Sequence, residues 1–358
     1  YRLAWMKKHE PHLFKKIAMI CDVHCYLNWK FTGSFKTSLA SADPLGLIDM
    51  NRNKWSAEIL SVLELTEEQL PEIAFPGTVL GVITNEAHRF TGLSAKTGIV
   101  AGGGDGQAAG LGVNVLSAGR AYLNLGTAVV AGIYGSKYEV KNAFRTMYAC
   151  AENGYYYECS LRAGTFAIDW FIKNILKVNT AKQPGIYEQL EREAQQTEAG
   201  CAGLMFLPYL NGVMNPYWNP EARGAFTGLS SSHQRGHMYR AILEGIAFEQ
   251  KLAIELVEQA AGLQVRELVT IGGGSQSELW CRILADITGK TICLPENKEA
   301  SALGAGIAAA VGAGWYSSFK EAAKKMTGRE RLLNPDTRNY QVYQNIFKTY
   351  RNMYHRLK

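Results

Sequence analysis

Short apolar runs that suit strands alternate with longer amphipathic stretches from about residue 96 onwards. The strand-like runs lie at 99–101, 121–125, 129–133 and 155–159. A long helix is predicted over 233–260, because Met238, Ile242 and Ile246 repeat at four-residue spacing on one face. Gly262 suits the end of that helix, since glycine readily adopts the left-handed conformation of a helix C-terminus.

The stretch after this helix predicts a regular alternation of strand and helix. Strands are expected over 265–271 and 291–294, and helices over 277–287 and 301–311. Such alternation favours an α/β domain in which helices cover a sheet. The turn at 126–127 joins two predicted strands and is expected to form a β-hairpin.

The residues before about 96 show a different pattern. Helical stretches at 10–27 and 56–65 lie between loops rich in Thr, Ser, Gly and Pro, and no unit of strand, glycine turn and helix is evident. We therefore divide the chain into a first domain at 1–95 and a second domain at 96–330. Residues 331–358 predict a terminal helix with aromatic residues on one side, which we expect to pack back on the first domain.

Composition and charge exclude several classes of protein. The chain has 358 residues, is 47% hydrophobic and 20% charged, and carries a net charge of +6 from scattered Lys and Arg. These values are ordinary for a soluble globular protein, and the scattered charge is unlike the footprint of a nucleic-acid-binding protein. No apolar run reaches transmembrane length and no signal peptide is recognisable, so we expect a cytoplasmic protein without a membrane partner.

The seven cysteines are an odd number at irregular spacing. They indicate neither a disulfide framework nor a paired zinc site, which favours a reducing compartment. Cys21, His24 and Cys25 are close in sequence, but no second pair of ligands follows at a suitable distance. A partly buried helix explains these three residues better than a metal site does.

Three glycine-rich turns, each directly after a strand-like run, are the main candidates for chemistry. They lie at 101–106, 124–127 and 271–277. Glycine lets backbone N–H groups approach anionic oxygens, and a helix that begins behind such a turn adds a favourable dipole. The pattern therefore indicates a site that handles phosphate. The first turn also holds a carboxylate, Asp105, which would repel phosphate and is therefore expected to have a chemical role.

Two other glycine-containing stretches fail as nucleotide motifs. The sequence at 289–291 resembles the end of a P-loop, but Leu284 occupies the position where the upstream glycine is required. The stretch 304–309 fits the dinucleotide fingerprint only loosely, because no strand precedes it and no acidic residue follows at the ribose distance. A small-residue helix packed closely on a sheet or an adenine accounts better for this stretch.

The stretches 206–212, 215–229 and 237–244 together resemble the C-terminal signature of the FGGY carbohydrate kinases. The run 224–244 satisfies that family's pattern at each constrained position, and the likeness extends over essentially the whole chain. Within the family the chain is most similar to the xylulokinases. The glycerol kinases have an Asp-Gln-Gln catalytic loop, whereas a triple glycine leads into Asp105 here.

This resemblance implies an actin-like, ribonuclease H-like ATPase fold with two α/β domains that close on a cleft. It places MgATP on the second domain and the sugar between the domains. It also makes Asp105 the general base that accepts the proton of the sugar hydroxyl. Mg²⁺ is expected to arrive with ATP, with Asp105 as a candidate ligand. From the residues alone, Asp105 fits a cap of the helix that starts at Gly106 about as well.

The resemblance also implies nucleotide contacts in the second and third turns and in a helix beyond them. Gly126 and Thr127 match the hairpin that binds the β- and γ-phosphates, and a plain β-turn is the alternative. The contacts implied for ribose, α-phosphate and adenine are Gly273, Gly274, Ser277, Glu278 and, under the adenine, Gly304. For Glu278, an exposed acid favoured by the helix dipole is the stronger interpretation from the residues alone.

Substrate contacts are implied for Asp105, Gly106 and Gln107, and here the chain departs from the family. Xylulokinases usually carry a side-chain amide directly after the catalytic Asp, where this chain has Gly106 and only then Gln107. The family's Gly-Glu-Arg-Thr-Pro run is replaced by 212–216, and Ala128 stands where a Ser is common. These departures concern the choice of sugar and one phosphate contact.

The family's opening Asp-x-Gly-Thr phosphate loop is absent from this chain, which enters directly into a helical pattern without an initial Met. We therefore expect an incomplete first domain and little turnover of sugar by this chain alone. Three hypotheses follow. The first is an ATP-dependent kinase that forms D-xylulose 5-phosphate, and the second is a kinase for ribulose, gluconate or a glycerol-like polyol. The third is a non-catalytic, actin-fold nucleotide-binding fragment. A homodimer is an expectation from the resemblance alone.

Overall fold

A mixed sheet of seven strands forms the centre of the larger part of the molecule. The structure is a computed structural model that describes residues 1–151 and 153–357. Its strands are β1 (Lys36–Ser38), β2 (Ile48–Asp49), β3 (Lys54–Trp55), β4 (Glu72–Ala74), β5 (Val79–Val82), β6 (Gly98–Val100), β7 (Arg120–Leu125), β8 (Val129–Gly135), β9 (Arg145–Tyr148), β10 (Tyr155–Leu161), β11 (Met205–Leu207), β12 (Ala225–Thr227), β13 (Glu267–Ile271), β14 (Thr291–Pro295) and β15 (Glu330–Leu333).

Helices flank this sheet and form much of the remaining chain. They are α1 (Arg2–His9), α2 (Pro11–Phe14), α3 (Val23–Thr32), α4 (Leu39–Ala42), α5 (Ala57–Leu63), α6 (Asn85–Thr91), α7 (Asp105–Gly112), α8 (Thr165–Trp170), α9 (Ile186–Gln195), α10 (Arg235–Ala261), α11 (Glu278–Thr288), α12 (Ala300–Gly312), α13 (Phe319–Met326), α14 (Thr337–Tyr350) and α15 (Met353–Leu357). One turn of π-helix, Phe171–Ile175, follows α8, and short 3₁₀ segments lie at Asp43–Leu45, Glu67–Gln69, Cys201–Gly203 and Gly273–Gln276.

The strand order in the central sheet is β15-β14-β13-β7-β8-β10-β9. Strand β13 runs parallel to both β7 and β14, and the pairs towards either edge are antiparallel. The predicted α/β class is confirmed, and the strand-like runs at 121–125, 129–133 and 155–159 are the adjacent strands β7, β8 and β10. The predicted hairpin is also confirmed, because Leu125 pairs with Val129 across its turn.

The two edge strands, β9 and β15, are not evident in the apolar pattern. Arg145 and Thr146 open β9, and Glu330 and Arg331 open β15. Edge strands commonly carry charged side chains because one side of the strand is unpaired and faces solvent. Such a strand therefore lacks the apolar run by which the inner strands can be recognised.

Alternate residues of the inner strands face two helical layers. Leu123 lies in the main core, which contains most of the buried residues of α10, whereas Tyr122 packs with Ala109 of α7 and Ala300 of α12. Helices α7 and α12 lie unusually close together. A Cβ built on Gly304 would be 1.8 Å from the Ala108 carbonyl oxygen, which explains the small residues of α12.

Residues 1–95 contain small strand pairs rather than one large sheet. Strand β1 pairs with β4, and β2 pairs with β3. A separate hydrophobic cluster holds this region together and includes Leu39, Trp55 and Leu60. Tyr148 of β9, which lies outside residues 1–95, belongs to the same cluster. Strands β5 and β6 pair across the predicted boundary at 95/96, and the division into 1–95 and 96–330 stays a prediction.

The terminal helices correct one expectation. Tyr343 and Tyr350 of α14 are buried in the same core as α10, and α14 packs on α11. The Tyr350 hydroxyl donates to Glu249 Oε1 at 2.9 Å, and the Tyr343 hydroxyl donates to Glu244 Oε1 at 2.7 Å. The prediction that 331–358 packs back on the first domain is therefore wrong. The aromatic side of α14 instead meets the buried acceptors of α10.

Candidate active site

The carboxyl ends of β7 and β13 bring two of the three glycine turns together. These strands are parallel neighbours, with Asn124 opposite Ile271. The turn at 126–128 follows β7 and the turn from Gly272 follows β13, so both turns lie at the same edge of the sheet. Gly272 has a φ of +83°, and a Cβ built there would lie 2.4 Å from Asn124 Oδ1. This close approach requires glycine.

Two cavities adjoin at this edge of the sheet. The larger cavity has a volume of about 840 Å³ and is lined by residues of 270–276, 294–299 and 329–331. The smaller cavity, of about 340 Å³, is lined by residues that include Asp105, Gly106, Tyr122, Asn124, Glu158 and Ser301. Ile271, Gly272, Lys298 and Glu299 line both. Two molecules that occupied the two cavities would therefore face each other across this shared wall.

The third glycine turn contributes one open position and two packed ones. A Cβ built on Gly273 would have no neighbour within 4 Å, and Gly273 lines the larger cavity. Gly274 is buried, and a Cβ there would lie 2.4 Å from the Trp280 ring. The Ser277 hydroxyl accepts a hydrogen bond from the Trp280 N–H at 3.1 Å and so caps α11. Gly273 is thus the residue of this turn best placed to meet a ligand.

Two other predicted nucleotide residues make structural contacts. Glu278 pairs with Arg331 at 2.6 Å and with Arg282 at 2.8 Å. The hydrogen bond from Arg331 lowers the pKa of the Glu278 carboxyl. Gly304 lies against the Ala108 carbonyl, as described above. The structure places neither Glu278 nor Gly304 in the lining of the two cavities, and their nucleotide contacts stay predictions.

The hairpin turn is held from behind by the start of α8. The Gly126 carbonyl accepts from the Thr165 N–H, and the Thr127 carbonyl accepts from the Gly164 N–H, both at 2.9 Å. Thr127 is exposed at the tip of the turn. The exposed Thr127 hydroxyl is one donor that this turn can offer to a ligand, and neither Gly126 nor Thr127 is among the residues that line the two cavities.

Asp105 occupies the first position of α7, after Gly104 at the N-cap. Its Oδ1 accepts a hydrogen bond from the Gly106 N–H at 2.8 Å, and its carbonyl accepts from the Ser301 hydroxyl at 3.0 Å. The residue is exposed and lines the smaller cavity. Asp105 caps α7 only in part. Its carboxylate accepts from one amide of the helix and remains accessible to a hydroxyl in the cavity.

The first glycine turn is fixed by residues of the N-terminal region. His24 Nε2 accepts from the Gly102 N–H at 3.1 Å, and the Gly102 carbonyl accepts from the Ser38 hydroxyl. Burial lowers the pKa of His24, which favours the neutral ring that can accept this bond. Gln107 is buried, and its Nε2 donates to the Ala40 carbonyl at 2.7 Å. Gln107 therefore ties α7 to this region and is not among the residues that line the smaller cavity.

His24, which lies between Cys21 and Cys25 in sequence, thus has a structural partner in the Gly102 N–H. Within residues 1–151 and 153–357, no three side chains of His, Cys, Asp or Glu are grouped as metal ligands. In that same part of the chain, no helix combines the length and apolar character needed to cross a membrane.

The smaller cavity also contains side chains that the sequence does not identify. Tyr122, Asn124, Glu158, Lys298 and Glu299 all line it. The usable signal in the sequence is Glu158, a lone acid within the aromatic and apolar strand 155–161. Burial raises the pKa of the Glu158 carboxyl, and the adjacent Arg145 guanidinium opposes this shift.

Asp43 links the N-terminal region to the edge of the central sheet. Its Oδ2 accepts from the Tyr148 N–H at 2.7 Å, and the Tyr148 hydroxyl donates to the Met50 carbonyl at 2.8 Å. Burial raises the pKa of Asp43 to about 7. Together with the Gln107–Ala40 bond, this contact holds the two parts of the chain together beside the smaller cavity.

Known proteins match the chain along most of its length. Residues 121–313 match the FGGY family of carbohydrate kinases, C-terminal domain, and residues 1–112 match the N-terminal domain of that family. The xylulose kinase of Bacillus subtilis (strain 168) is 30% identical over 355 residues, which cover 99% of this chain and 70% of that protein. The gluconokinase of Bacillus licheniformis is 26% identical over 357 residues, which cover 98% of this chain and 69% of that protein.

A solved structure gives the same result for the fold. The crystal structure of xylulose kinase from Rhodospirillum rubrum matches with a TM-score of 0.90 at 27% identity, and the match covers 99% of this chain and 71% of that one.

Proposed function

Since the chain belongs to the FGGY family of carbohydrate kinases, we propose that it transfers the γ-phosphoryl group of ATP to D-xylulose and forms D-xylulose 5-phosphate. The observation that carries this proposal is the position of Asp105. Its carboxylate opens on the smaller cavity, which shares the wall of Gly272 and Glu299 with the larger cavity. A phosphoryl donor and an acceptor hydroxyl can therefore meet beside a base.

The larger cavity suits the nucleotide. Its volume of about 840 Å³ lies within the usual range of ligand pockets. Gly273 leaves the backbone open to a ligand there, and the exposed Thr127 hydroxyl stands at the neighbouring turn. ATP would supply the phosphoryl group, and Mg²⁺ bound to ATP would neutralise part of the phosphate charge. Asp105 offers carboxylate oxygens near the shared wall, the ligand type that Mg²⁺ prefers.

Asp105 acts as the general base in this proposal. The acceptor hydroxyl loses its proton as its oxygen bonds to the γ-phosphorus, while the bond from that phosphorus to the bridging oxygen breaks and ADP leaves. A positioned carboxylate can take the proton. The ties of Gly102 to His24 and of the Asp105 carbonyl to Ser301 hold the start of α7 in place. The fixed backbone positions the Asp105 carboxylate, and efficient proton transfer requires such positioning.

D-xylulose is the first candidate because the Bacillus subtilis and Rhodospirillum rubrum proteins carry the name xylulose kinase. The gluconokinase of Bacillus licheniformis supports a second candidate, D-gluconate. D-ribulose and glycerol-like polyols follow as variations on the same acceptor chemistry. The donor side of the reaction is the same in each case.

The test is ADP release, measured by a coupled assay with the full product of the gene in MgATP. D-xylulose, D-ribulose, D-gluconate and glycerol are compared at several concentrations, with a blank that lacks acceptor. We expect the highest kcat/KM with D-xylulose. Faster turnover of another acceptor would keep the mechanism and replace the substrate. ADP release that no acceptor increases would contradict the proposal and favour a non-catalytic nucleotide-binding protein.

A further inference from the structure

One wall of the smaller cavity is made by neighbouring residues of three strands. Tyr122 of β7 and Glu158 of β10 both pair with Gly132 of β8, which lies between them. The Tyr122 ring lies directly over Gly132, because a Cβ built there would be 2.2 Å from the ring. The absence of a side chain at position 132 thus lets the Tyr122 ring lean across the sheet towards the Glu158 strand.

The Tyr122 hydroxyl is buried and has no hydrogen-bond partner within residues 1–151 and 153–357. A buried hydroxyl without a partner is unfavourable, so the Tyr122 hydroxyl calls for a hydrogen-bond partner from outside the described residues. A Cβ built on Gly106 would lie 3.7 Å from this hydroxyl. The Tyr122 hydroxyl therefore lies within contact distance of a side chain at position 106, next to Asp105, and Gly106 supplies no such side chain.

Glu158 provides an acceptor beside this hydroxyl. Its carboxylate is largely buried, with 16% of the side chain exposed, and its Oε1 lies 2.8 Å from Arg145 Nη2. Arg145 approaches from β9, on the far side of β10 from Tyr122. Because Arg145 holds one oxygen, the second oxygen of Glu158 is available to a hydroxyl in the cavity that Glu158 lines.

The charge of the lining favours a neutral acceptor. The carboxylates of Asp105, Glu158 and Glu299 line the smaller cavity together with one ammonium group among the described residues, that of Lys298. A ligand that brought a further carboxylate to this wall would meet like charges at close range in a partly buried site, which is strongly unfavourable. A hydroxyl there can donate to Glu158 and accept from Tyr122.

We propose that Glu158 and Tyr122 determine the acceptor specificity of this kinase. They bind a hydroxyl of a neutral ketose or polyol, and Glu158 excludes acceptors that carry a carboxylate, such as aldonates. This inference rests on the proposed function, since it assigns the acceptor to the smaller cavity. It also separates the two candidate substrates, because D-xylulose is neutral and D-gluconate is an anion.

The experiment is calorimetric titration of the protein with D-xylulose and with D-gluconate in the presence of MgADP. The variants are Glu158→Gln, which keeps the shape and removes the charge, and Tyr122→Phe, which removes only the hydroxyl. Glu267→Gln is the matched control, because Glu267 also pairs with an arginine, Arg120 at 2.7 Å, at the opposite end of β13 from Ile271. Thermal melting of each variant checks that it folds.

We expect the wild type to bind D-xylulose and to bind D-gluconate much more weakly. Glu158→Gln and Tyr122→Phe should each weaken D-xylulose binding about tenfold, the effect of one lost hydrogen bond. Glu158→Gln should also strengthen D-gluconate binding, and Tyr122→Phe should not. Glu267→Gln should change neither affinity.

Three results would overturn the inference. The wild type could bind the two sugars equally, it could bind neither, or Glu158→Gln could change both affinities in the same direction. Should Tyr122→Phe fail to fold, the near-isosteric Glu158→Gln variant alone decides. The proposed function has a separate readout, because a protein that binds neutral sugars selectively but releases no ADP would contradict the kinase and leave the specificity assignment standing.

Discussion

The two cavities at the edge of the central sheet are built in different ways. The larger one is lined by turns and strand ends, where glycine positions such as Gly272 and Gly273 expose the backbone. The smaller one is lined by side chains that converge from separate elements, among them Asp105, Tyr122 and Glu158. A cavity of the first kind can serve any sugar kinase, because the nucleotide does not change. A cavity of the second kind can be altered residue by residue, and it is there that we place the choice of sugar.

The largest effect is expected for Asp105→Asn, which removes the base from the smaller cavity. We expect kcat to fall by about 10³-fold, within the range typical of general-base catalysis. The affinity for ADP, which we assign to the larger cavity, should change little. Coupled ADP release gives kcat, and calorimetry gives the ADP affinity. A kcat close to that of the wild type would remove Asp105 from the mechanism.

The larger cavity can be tested with two neighbouring glycines. Gly272→Ala places a Cβ 2.4 Å from Asn124 Oδ1 at a φ of +83°, and should lower the free energy of unfolding by about 2–4 kcal/mol. Gly273→Ala adds a Cβ in open space, and should leave stability within about 0.5 kcal/mol.

The second change should instead raise the KM for ATP about tenfold, since it adds a methyl group inside the cavity. Calorimetric melting and ATP titrations separate the two effects. If Gly273→Ala were the less stable of the pair, the described geometry of this turn would be incorrect.

Asp43, beside the smaller cavity, should make stability depend on pH. Its pKa is raised to about 7 in the folded protein, against about 3.9 when unfolded. The folded state therefore holds the extra proton between these values, and the free energy of unfolding falls as the pH rises from about 4 to about 7.

Asp43→Asn removes this titration and keeps an acceptor for the Tyr148 N–H. Relative to the variant, the wild type should lose about 2–3 kcal/mol between pH 5 and pH 7.5. Melting curves of both proteins across this range make the comparison. Parallel curves would show that Asp43 does not titrate there.

The smallest effect is expected for Gln107, which the resemblance assigns to the substrate and the structure ties to Ala40. Gln107→Leu should lower the free energy of unfolding by about 1–2 kcal/mol through the loss of a buried hydrogen bond. It should leave the ratio of kcat/KM for D-xylulose and D-gluconate as it is in the wild type. If the ratio of the two kcat/KM values changed while the free energy of unfolding did not, Gln107 would be shown to contact the acceptor.

The sequence predicts the frame of the larger cavity well, for a physical reason. Strands β7 and β13 are short apolar runs followed by glycine, and α10 has a clear helical period that ends at Gly262. Each of these signals is local. Parallel pairing of β7 and β13 then brings their following turns to one edge without any further information.

The smaller cavity could not be predicted in the same way, because it depends on register and distant contacts. Tyr122 and Glu158 meet only through their common partner Gly132. Arg145 reaches Glu158 from an edge strand that has no apolar run. The aromatic residues on one side of α14 similarly predict that this side is packed against the protein. The sequence does not show that their hydrogen-bond partners are Glu244 and Glu249 of α10.

We assign the nucleotide and the choice of sugar to separate cavities. The most direct test measures the KM for ATP and the KM for D-xylulose in Gly273→Ala and in Glu158→Gln. We expect Gly273→Ala to raise the KM for ATP about tenfold and to leave the KM for D-xylulose nearly unchanged, and we expect Glu158→Gln to do the reverse. If either variant raised both KM values together, the assignment of the two ligands to two cavities would be contradicted.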